Sequence, residues 1–116
     1  YAEVFALWGK HILAGGADNE ALFKRGGYYK YDIRTGTKTA RILVLNTNLY
    51  YIYNAAYDNF TDKHDPAKQF AWMEAELAAA QNCQSNACPS TVHIVAHISP
   101  GGDCKLPVSS QNVDSS

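Results

Sequence analysis

Two apolar segments of the chain end in side chains that can bind a metal ion or hold a substrate. TVHIVAH ends at His97, and the loop ISPGG follows it. RILVLNTN ends with Asn46 and Asn48, and Tyr50 comes shortly after. A neutral imidazole at the end of a strand suits a divalent metal ion, because the strand fixes the ring and a glycine-rich loop leaves space for the ion. His97 is therefore a candidate metal ligand, and Asn46, Asn48 and Tyr50 are candidate substrate-binding residues.

Each of these residues also has a purely structural interpretation. A single histidine at a sheet edge can simply accept or donate one hydrogen bond. Asparagines after a strand commonly satisfy the backbone of a turn. The tyrosine rings of residues 50–57 can cover the core instead of stacking on a base or enclosing choline. The other histidines are interpreted as structural: His93 as a packed strand residue and His11 near a helix end. His64 forms an Asp62-x-His64 pair, which binds metal when it ends a strand, but here the pair lies in a polar loop before a helix start and is also interpreted as structural.

The region around the two asparagines predicts a β-hairpin. Residues 26–33 and 40–48 are expected to be extended, and the turn between them contains Gly36, which can adopt a positive φ. Residues 42–45 form a continuous apolar run, which is typical of a strand buried on both faces. The hairpin would bring the asparagines to the end of its second strand.

A helix and a third strand follow the hairpin. Asp65 and Pro66 are favourable residues for a helix start. A strand–helix–strand unit places its strands parallel, and ligands of open α/β sheets bind beyond the carboxyl ends of the strands. The predicted fold class is therefore α/β, a hairpin plus a β-α-β crossover. Apolar spacing predicts that this helix buries the face formed by Phe70, Met73, Leu77 and Ala80. The same spacing predicts an amino-terminal helix over residues 3–13, whose buried face is formed by Val4, Leu7, Trp8 and Ile12.

The composition narrows the classes of protein to consider. The chain has 116 residues, a formal net charge of -1 and 47% hydrophobic residues, which fits one domain or a piece of one. Lys and Arg are scattered, so we expect no nucleic-acid polymer as a partner. No apolar run approaches the roughly 20 residues that cross a bilayer, so no transmembrane segment is expected.

The cysteines and one sequon favour a secreted or lysosomal protein. Asn59-Phe60-Thr61 is a glycosylation sequon, although a lone sequon also occurs by chance. Cys83 and Cys88 flank the polar stretch QSNA and can close a small local disulfide. Cys104 is then left over, either free or paired with a cysteine outside the chain.

Four segments, in this order, carry a family likeness: FKRGGYY, RILVLNTNLYY, DPAKQFAWMEAELAAA and VHIVAHISPGG. Together they resemble the acid sphingomyelinase family of calcineurin-like metallophosphoesterases, which includes the acid sphingomyelinase-like phosphodiesterases. The resemblance implies an α/β sandwich with two divalent ions, usually zinc, at the carboxyl edges of its strands, and His97 as one ligand. Ala96 stands where the family usually has glycine. The implied substrate is a small-molecule or lipid phosphodiester, either sphingomyelin or a nucleotide-type ester, and a lipid substrate would bring the full protein to a membrane surface.

The chain also departs from the family pattern. The family's other ligands belong to Asp-x-His, Asp and Asn-His segments upstream and a Gly-His-x-His segment downstream, and none is present in its proper context. The chain begins with Tyr1 rather than Met. We therefore expect residues 1–116 to be the centre of a catalytic domain, inactive alone. The alternatives are a truncated, non-catalytic paralogue that acts as a binding module, and an unrelated α/β domain with a structural His97.

Overall fold

A computed structural model describes residues 1–51 and 53–98 of the chain. Within them, three α-helices accompany a three-stranded sheet of order β1-β2-β3. The elements are α1 (Ala2–Leu13), α2 (Asn19–Gly26), β1 (Tyr29–Thr35), β2 (Lys38–Val44), α3 (Gln69–Asn82) and β3 (Thr91–Val95), with short 3-10 turns at Thr47–Tyr50, Tyr57–Asn59 and Pro66–Lys68. No helix in the described ranges has the length and hydropathy needed to cross a membrane.

The predicted hairpin is present. β1 pairs with β2 in antiparallel register, from Tyr29 opposite Val44 to Thr35 opposite Lys38. Gly36 lies in the turn at φ 62°, a conformation that favours glycine. The burial of β2 is lower than predicted, because only Leu43 of its apolar run is fully buried, while Ile42 and Val44 are half-buried.

The predicted crossover is also present and confirms the α/β fold class. β3 pairs with β2 in parallel, from Ala40 opposite Thr91 to Val44 opposite Val95. α3 lies between these two strands in the chain. Parallel strands end at the same edge of a sheet, so the segments that follow β2 and β3 leave the sheet together.

The core lies between the two amino-terminal helices, the hairpin and the turn after β2. Its buried apolar side chains are Ile12, Phe23, Tyr28, Leu43 and Leu49. Asn19, 1% exposed, joins the layers, because its amide nitrogen donates to the carbonyl oxygens of Ile12 and Lys30 at 2.9 and 2.8 Å. A buried amide is tolerated when its hydrogen-bonding groups are matched in this way.

The predicted buried face of α1 is only partly correct. Ile12 is buried, but Leu7 is 78% exposed and Trp8 is 57% exposed. The helix contacts α2 through Phe5, whose ring centroid lies 6.2 Å from that of Phe23, and the same ring covers Gly9 one turn further along α1. Apolar spacing identifies an apolar stripe, but it does not distinguish a stripe that faces the core from one that faces outward.

The predicted buried face of α3 is also wrong in part. Phe70 and Leu77 are 42% and 36% exposed. The face toward the sheet carries Trp72, whose ring lies 4.9 Å from that of Tyr28, and Glu76. Glu76 lies outside the predicted apolar face, yet it contacts two cationic side chains of the hairpin. Glu76 accepts from Nζ of Lys30 at 2.8 Å and from Nη1 of Arg41 at 3.2 Å. With Glu76 directed to the hairpin, the helix is rotated relative to the predicted orientation.

β3 has one neighbour among the described strands, and its side chains are largely exposed. Ile94 and Val95 are 50% and 51% exposed. His93 is exposed as well, so the expectation that it is a packed residue is wrong. A parallel strand normally has both faces covered, and here the described residues cover little of it.

Candidate functional site

The candidate site is the sheet edge at which β2 and β3 end. The backbone N–H of Leu45 donates to the carbonyl oxygen of Val95 at 2.8 Å, which extends the pairing by one step. Beyond this bond the strand pairing ends, and one segment carries Asn46 and Asn48 while the other carries His97. The structure therefore brings the candidate residues of the two strands to one edge, as the crossover requires.

His97 lies two residues beyond the end of β3 and is exposed. Its imidazole is at the edge where an α/β sheet binds its ligands, and it is not packed in the core. This placement fits a metal ligand. The rest of a metal site is not found in the described residues, which hold no group of three or more His, Cys, Asp or Glu side chains able to bind an ion. His97 alone could hold one coordination position, and other ligands would have to complete the site.

The side chain of Asn46 uses its polar groups for hydrogen bonds within the protein. Its side-chain nitrogen donates to the carbonyl oxygen of Gly26 at 2.9 Å and to the hydroxyl of Tyr1 at 2.6 Å. Its side-chain oxygen accepts from Nδ2 of Asn48 at 3.3 Å. Of the two interpretations of Asn46, these contacts favour the structural one.

Gln69, which no sequence motif singled out, fixes the backbone of Asn46. The side chain is 0% exposed. Its Oε1 accepts from the N–H of Asn46 at 2.7 Å, and its Nε2 donates to the carbonyl oxygen of Asn46 at 3.2 Å. The amide thus satisfies both backbone groups of one residue, as a neighbouring strand would. A polar residue at the first position of α3 was the only sequence signal, and it resembles an ordinary helix start.

Tyr50 is also part of this arrangement. Its hydroxyl accepts from Nε2 of Gln69 at 2.9 Å, and its ring stacks on Phe70 with centroids 4.4 Å apart. Burial raises the pKa of the Tyr50 hydroxyl above its usual value, while the hydrogen bond from Gln69 opposes the shift. Tyr50 therefore packs the loop against α3. Asn48 is exposed at the edge, so its side chain is the better placed of the three for contact with a substrate.

The loop that leads to α3 uses its carboxylates for internal contacts. Oδ1 of Asp62 accepts the backbone N–H groups of His64 and Asp65, both at 3.1 Å, and Oδ2 accepts from Nζ of Lys68 at 2.9 Å. The Asp62-x-His64 pair is thus a turn. The predicted helix start at Asp65 and Pro66 is only partly correct, because α3 begins three residues after Pro66, at Gln69, and Pro66–Lys68 form a 3-10 turn. The Asp65 carboxylate still accepts a backbone N–H of the first turn of α3, that of Phe70, at 2.7 Å.

The remaining sequence candidates lie at the surface. Asn59 is exposed at the end of the turn Tyr57–Asn59. Cys83 and Cys88 are joined by a disulfide in the polar loop after α3. The glycine-rich loop after Ile98 and the candidate free Cys104 lie outside the described residues.

Comparison with known proteins identifies relatives of one kind. The chain is 42% identical over 115 residues to cyclic GMP-AMP phosphodiesterase SMPDL3A of Homo sapiens, a match that covers 97% of the chain and 21% of the relative. It is 38% identical over 101 residues to acid sphingomyelinase-like phosphodiesterase 3b of Homo sapiens, covering 87% of the chain and 20% of the relative. Sphingomyelinase phosphodiesterase C of Dictyostelium discoideum is 33% identical over 108 residues, covering 93% and 21%. No family model matches the chain.

These matches extend over most of the chain but little of each relative. The chain spans about one fifth of the length of the curated relatives it matches. The matched relatives are phosphodiesterases by name, in agreement with the resemblance of the four sequence segments. By its sequence, this chain belongs to the acid sphingomyelinase-like phosphodiesterase family.

Proposed function

We propose that residues 1–116 are the central part of the catalytic domain of a metal-dependent phosphodiesterase, in which His97 binds one of two divalent ions, zinc by preference. The observation that carries the proposal is the position of His97, an exposed imidazole at the carboxyl edge of a β-α-β unit. The family relationship supports the reaction class, since the named relatives hydrolyse phosphodiesters.

In this proposal the residues at the carboxyl edge of the sheet have different roles. His97 supplies a nitrogen ligand, which requires its neutral imidazole. Gln69 and Asn46 hold the loop after β2, and Asn48 is exposed beside it for contact with substrate. A pair of bound divalent ions would polarise the phosphodiester and lower the pKa of a water molecule, which is the chemistry that two-metal sites supply. The described residues include no cluster of further ligands, so we expect the chain alone to be inactive.

The substrate we propose is a small-molecule or lipid phosphodiester. The names of the relatives include a cyclic GMP-AMP phosphodiesterase and sphingomyelinases. A dinucleotide and a choline lipid share a phosphodiester and a group that tyrosine rings bind. Tyr51 and Tyr53 are 38% and 72% exposed in the loop after β2, and their ring centroids lie 5.3 Å apart. A lipid substrate would also bring the full protein into contact with a membrane surface.

His97→Ala in the full-length protein that carries this segment tests the proposal. We expect turnover of bis(p-nitrophenyl) phosphate to fall more than about 100-fold, since even partners that only orient ligands contribute about 10- to 100-fold. Bound zinc, measured by mass spectrometry, should fall in the same preparation.

His11→Ala is the matched control, because His11 is exposed on α1 and not at the carboxyl edge of the sheet. This variant should retain zinc and turnover. Unchanged zinc and unchanged hydrolysis in His97→Ala would reject the ligand assignment and favour a structural histidine.

A non-catalytic binding module is the second candidate, favoured by the lack of a ligand cluster in the described residues. The flanking coding sequence separates the two candidates. Upstream Asp-x-His and Asn-His segments and a downstream Gly-His-x-His segment are expected for the enzyme. A coding sequence without them would establish the module.

We also propose that the protein is secreted or lysosomal and glycosylated at Asn59. The exposure of Asn59 and the surface disulfide between Cys83 and Cys88 support this. Treatment of the natural protein with a peptide-N-glycosidase should increase its electrophoretic mobility, and Asn59→Gln should remove one increment of that change. A protein unaffected by both would contradict the proposal.

A further inference from the structure

The hydroxyl of Thr47 joins the two segments that leave the carboxyl edge of the sheet. Its Oγ1 accepts a hydrogen bond from the backbone N–H of Ile98, with an N···O distance of 2.8 Å, in a partly buried position. Ile98 directly follows His97. A single side chain therefore holds the backbone next to the proposed metal ligand, across 51 positions of sequence.

Thr47 is itself held on a rigid part of the structure. The residue before it, Asn46, has both backbone groups bonded to the buried amide of Gln69. The strand pairing continues to Leu45, whose N–H donates to Val95. Threonine is also stiff at χ1 because it is branched at Cβ. The direction of its hydroxyl is consequently set by the surrounding framework.

His97 needs such an anchor. β3 ends at Val95, so strand pairing does not reach the histidine. The side chain of His97 is exposed, so close packing does not fix it either. A metal ligand must be held to within about 0.5 Å of its working position, and partners one step removed from the ligand provide that constraint. The bond to Ile98 restrains the chain on the far side of His97, while β3 restrains it on the near side.

We propose that Thr47 is a positioning residue that orients the segment carrying His97 for metal binding. The proposal rests on the proposed function, in which His97 is a ligand. Thr47 would touch neither metal nor substrate in this role. Its hydroxyl would act through the backbone of Ile98, so its loss would weaken metal binding without removing a ligand.

Thr47→Val in the full-length protein tests this inference, because valine keeps the branched shape and lacks the hydroxyl. We expect the affinity for Zn²⁺, measured by competition with a fluorescent chelator, to fall about 10- to 100-fold. Thr47→Ser keeps the hydroxyl and should bind Zn²⁺ as the unmodified protein does. Thr91→Val is the matched control, since Thr91 begins β3 at the opposite edge of the sheet. It should leave the affinity unchanged.

The outcomes separate this inference from the proposed function. If His97→Ala loses Zn²⁺ while Thr47→Val binds it normally, the positioning role is overturned and the ligand assignment stands. If His97→Ala keeps its Zn²⁺, both fail. Equal losses in Thr47→Ser and Thr47→Val would also overturn the inference, because the hydroxyl would then not be the group responsible. Thr47→Ala replaces Thr47→Val if the valine variant does not fold.

Discussion

Single residues of the candidate site divide into those that hold the structure and those that remain available for chemistry. The amide groups of Asn46 and Gln69 are used inside the protein, where they replace strand pairing beyond the end of β2. His97 and Asn48 are exposed at the same edge. Sequence alone could not separate the two asparagines, because both follow the strand and have identical side chains. Only the distance to Gln69 and Gly26 distinguishes them.

Asp62 gives a pH-dependent prediction at the scale of one residue. Hydrogen bonds from Lys68 and from the backbone N–H groups of Asp65 and His64 lower the pKa of Asp62 to about 2 from 3.8. The carboxylate therefore favours the folded state above pH 3.8, and this contribution is lost as the pH falls toward 2. In Lys68→Met we expect the Asp62 midpoint, measured by carboxyl ¹³C chemical shift, to move up toward 3.8.

Lys63→Met is the control for that measurement. Lys63 pairs with Asp58 at 3.4 Å rather than with Asp62. Its removal should leave the Asp62 midpoint near 2. A midpoint near 3.8 in the unmodified, folded chain would show that the turn around Asp62 does not form.

At the scale of elements, α3 is joined to the hairpin by polar contacts as much as by apolar ones. Glu76 bonds to Lys30 and Arg41, and Arg41 also makes a bidentate pair with Asp32 at 2.9 and 3.0 Å. The hydrogen bond from Arg41 lowers the pKa of Asp32. The periodicity of α3 correctly predicted a helix, but its buried face was mistaken, because ion pairs between distant segments leave no periodic signal.

Gln69→Leu tests the connection between α3 and the loop after β2. The change leaves the N–H and the carbonyl of Asn46 without their partner in a buried setting. Each such group costs about 1–3 kcal/mol, so the free energy of unfolding should fall by about 2–6 kcal/mol in urea titrations. Gln81→Leu, an exposed site on the same helix, should change it by less than about 0.5 kcal/mol. Equal stabilities for the two variants would show that the hydrogen bonds between Gln69 and the backbone of Asn46 do not stabilise the fold.

The hairpin and the crossover were predictable because local signals specify them. Gly36 marks the turn, and β-rich segments on either side of a helix specify parallel pairing. The bond between Thr47 and Ile98 was not predictable, since it links residues 51 positions apart. No sequence pattern predicts a single hydrogen bond between one side-chain hydroxyl and one backbone N–H.

For the whole molecule, the principal feature is the lateral edge of the sheet along β3, which no other described strand covers. β3 has only β2 beside it among the described strands, and Ile94 and Val95 are about half exposed. Exposed edges with apolar side chains pair with other chains. We expect the isolated 116-residue chain to associate as its concentration rises in sedimentation velocity experiments, and Ile94→Lys to reduce that association.

Leu7→Lys is the control for that prediction, because Leu7 is an exposed apolar residue on α1, away from the edge. It should reduce association less than Ile94→Lys does. A soluble monomer that melts in one sharp, concentration-independent transition would contradict the expectation that β3 pairs with a further strand in the full-length protein.

The central claim, that His97 binds a divalent ion, is tested most directly by locating the metal. Crystals of the full-length protein should be measured at the zinc absorption edge. We predict an anomalous difference peak about 2.0–2.1 Å from a ring nitrogen of His97, at the carboxyl edge of the sheet. Anomalous peaks elsewhere in the protein, with none beside His97, would contradict the account.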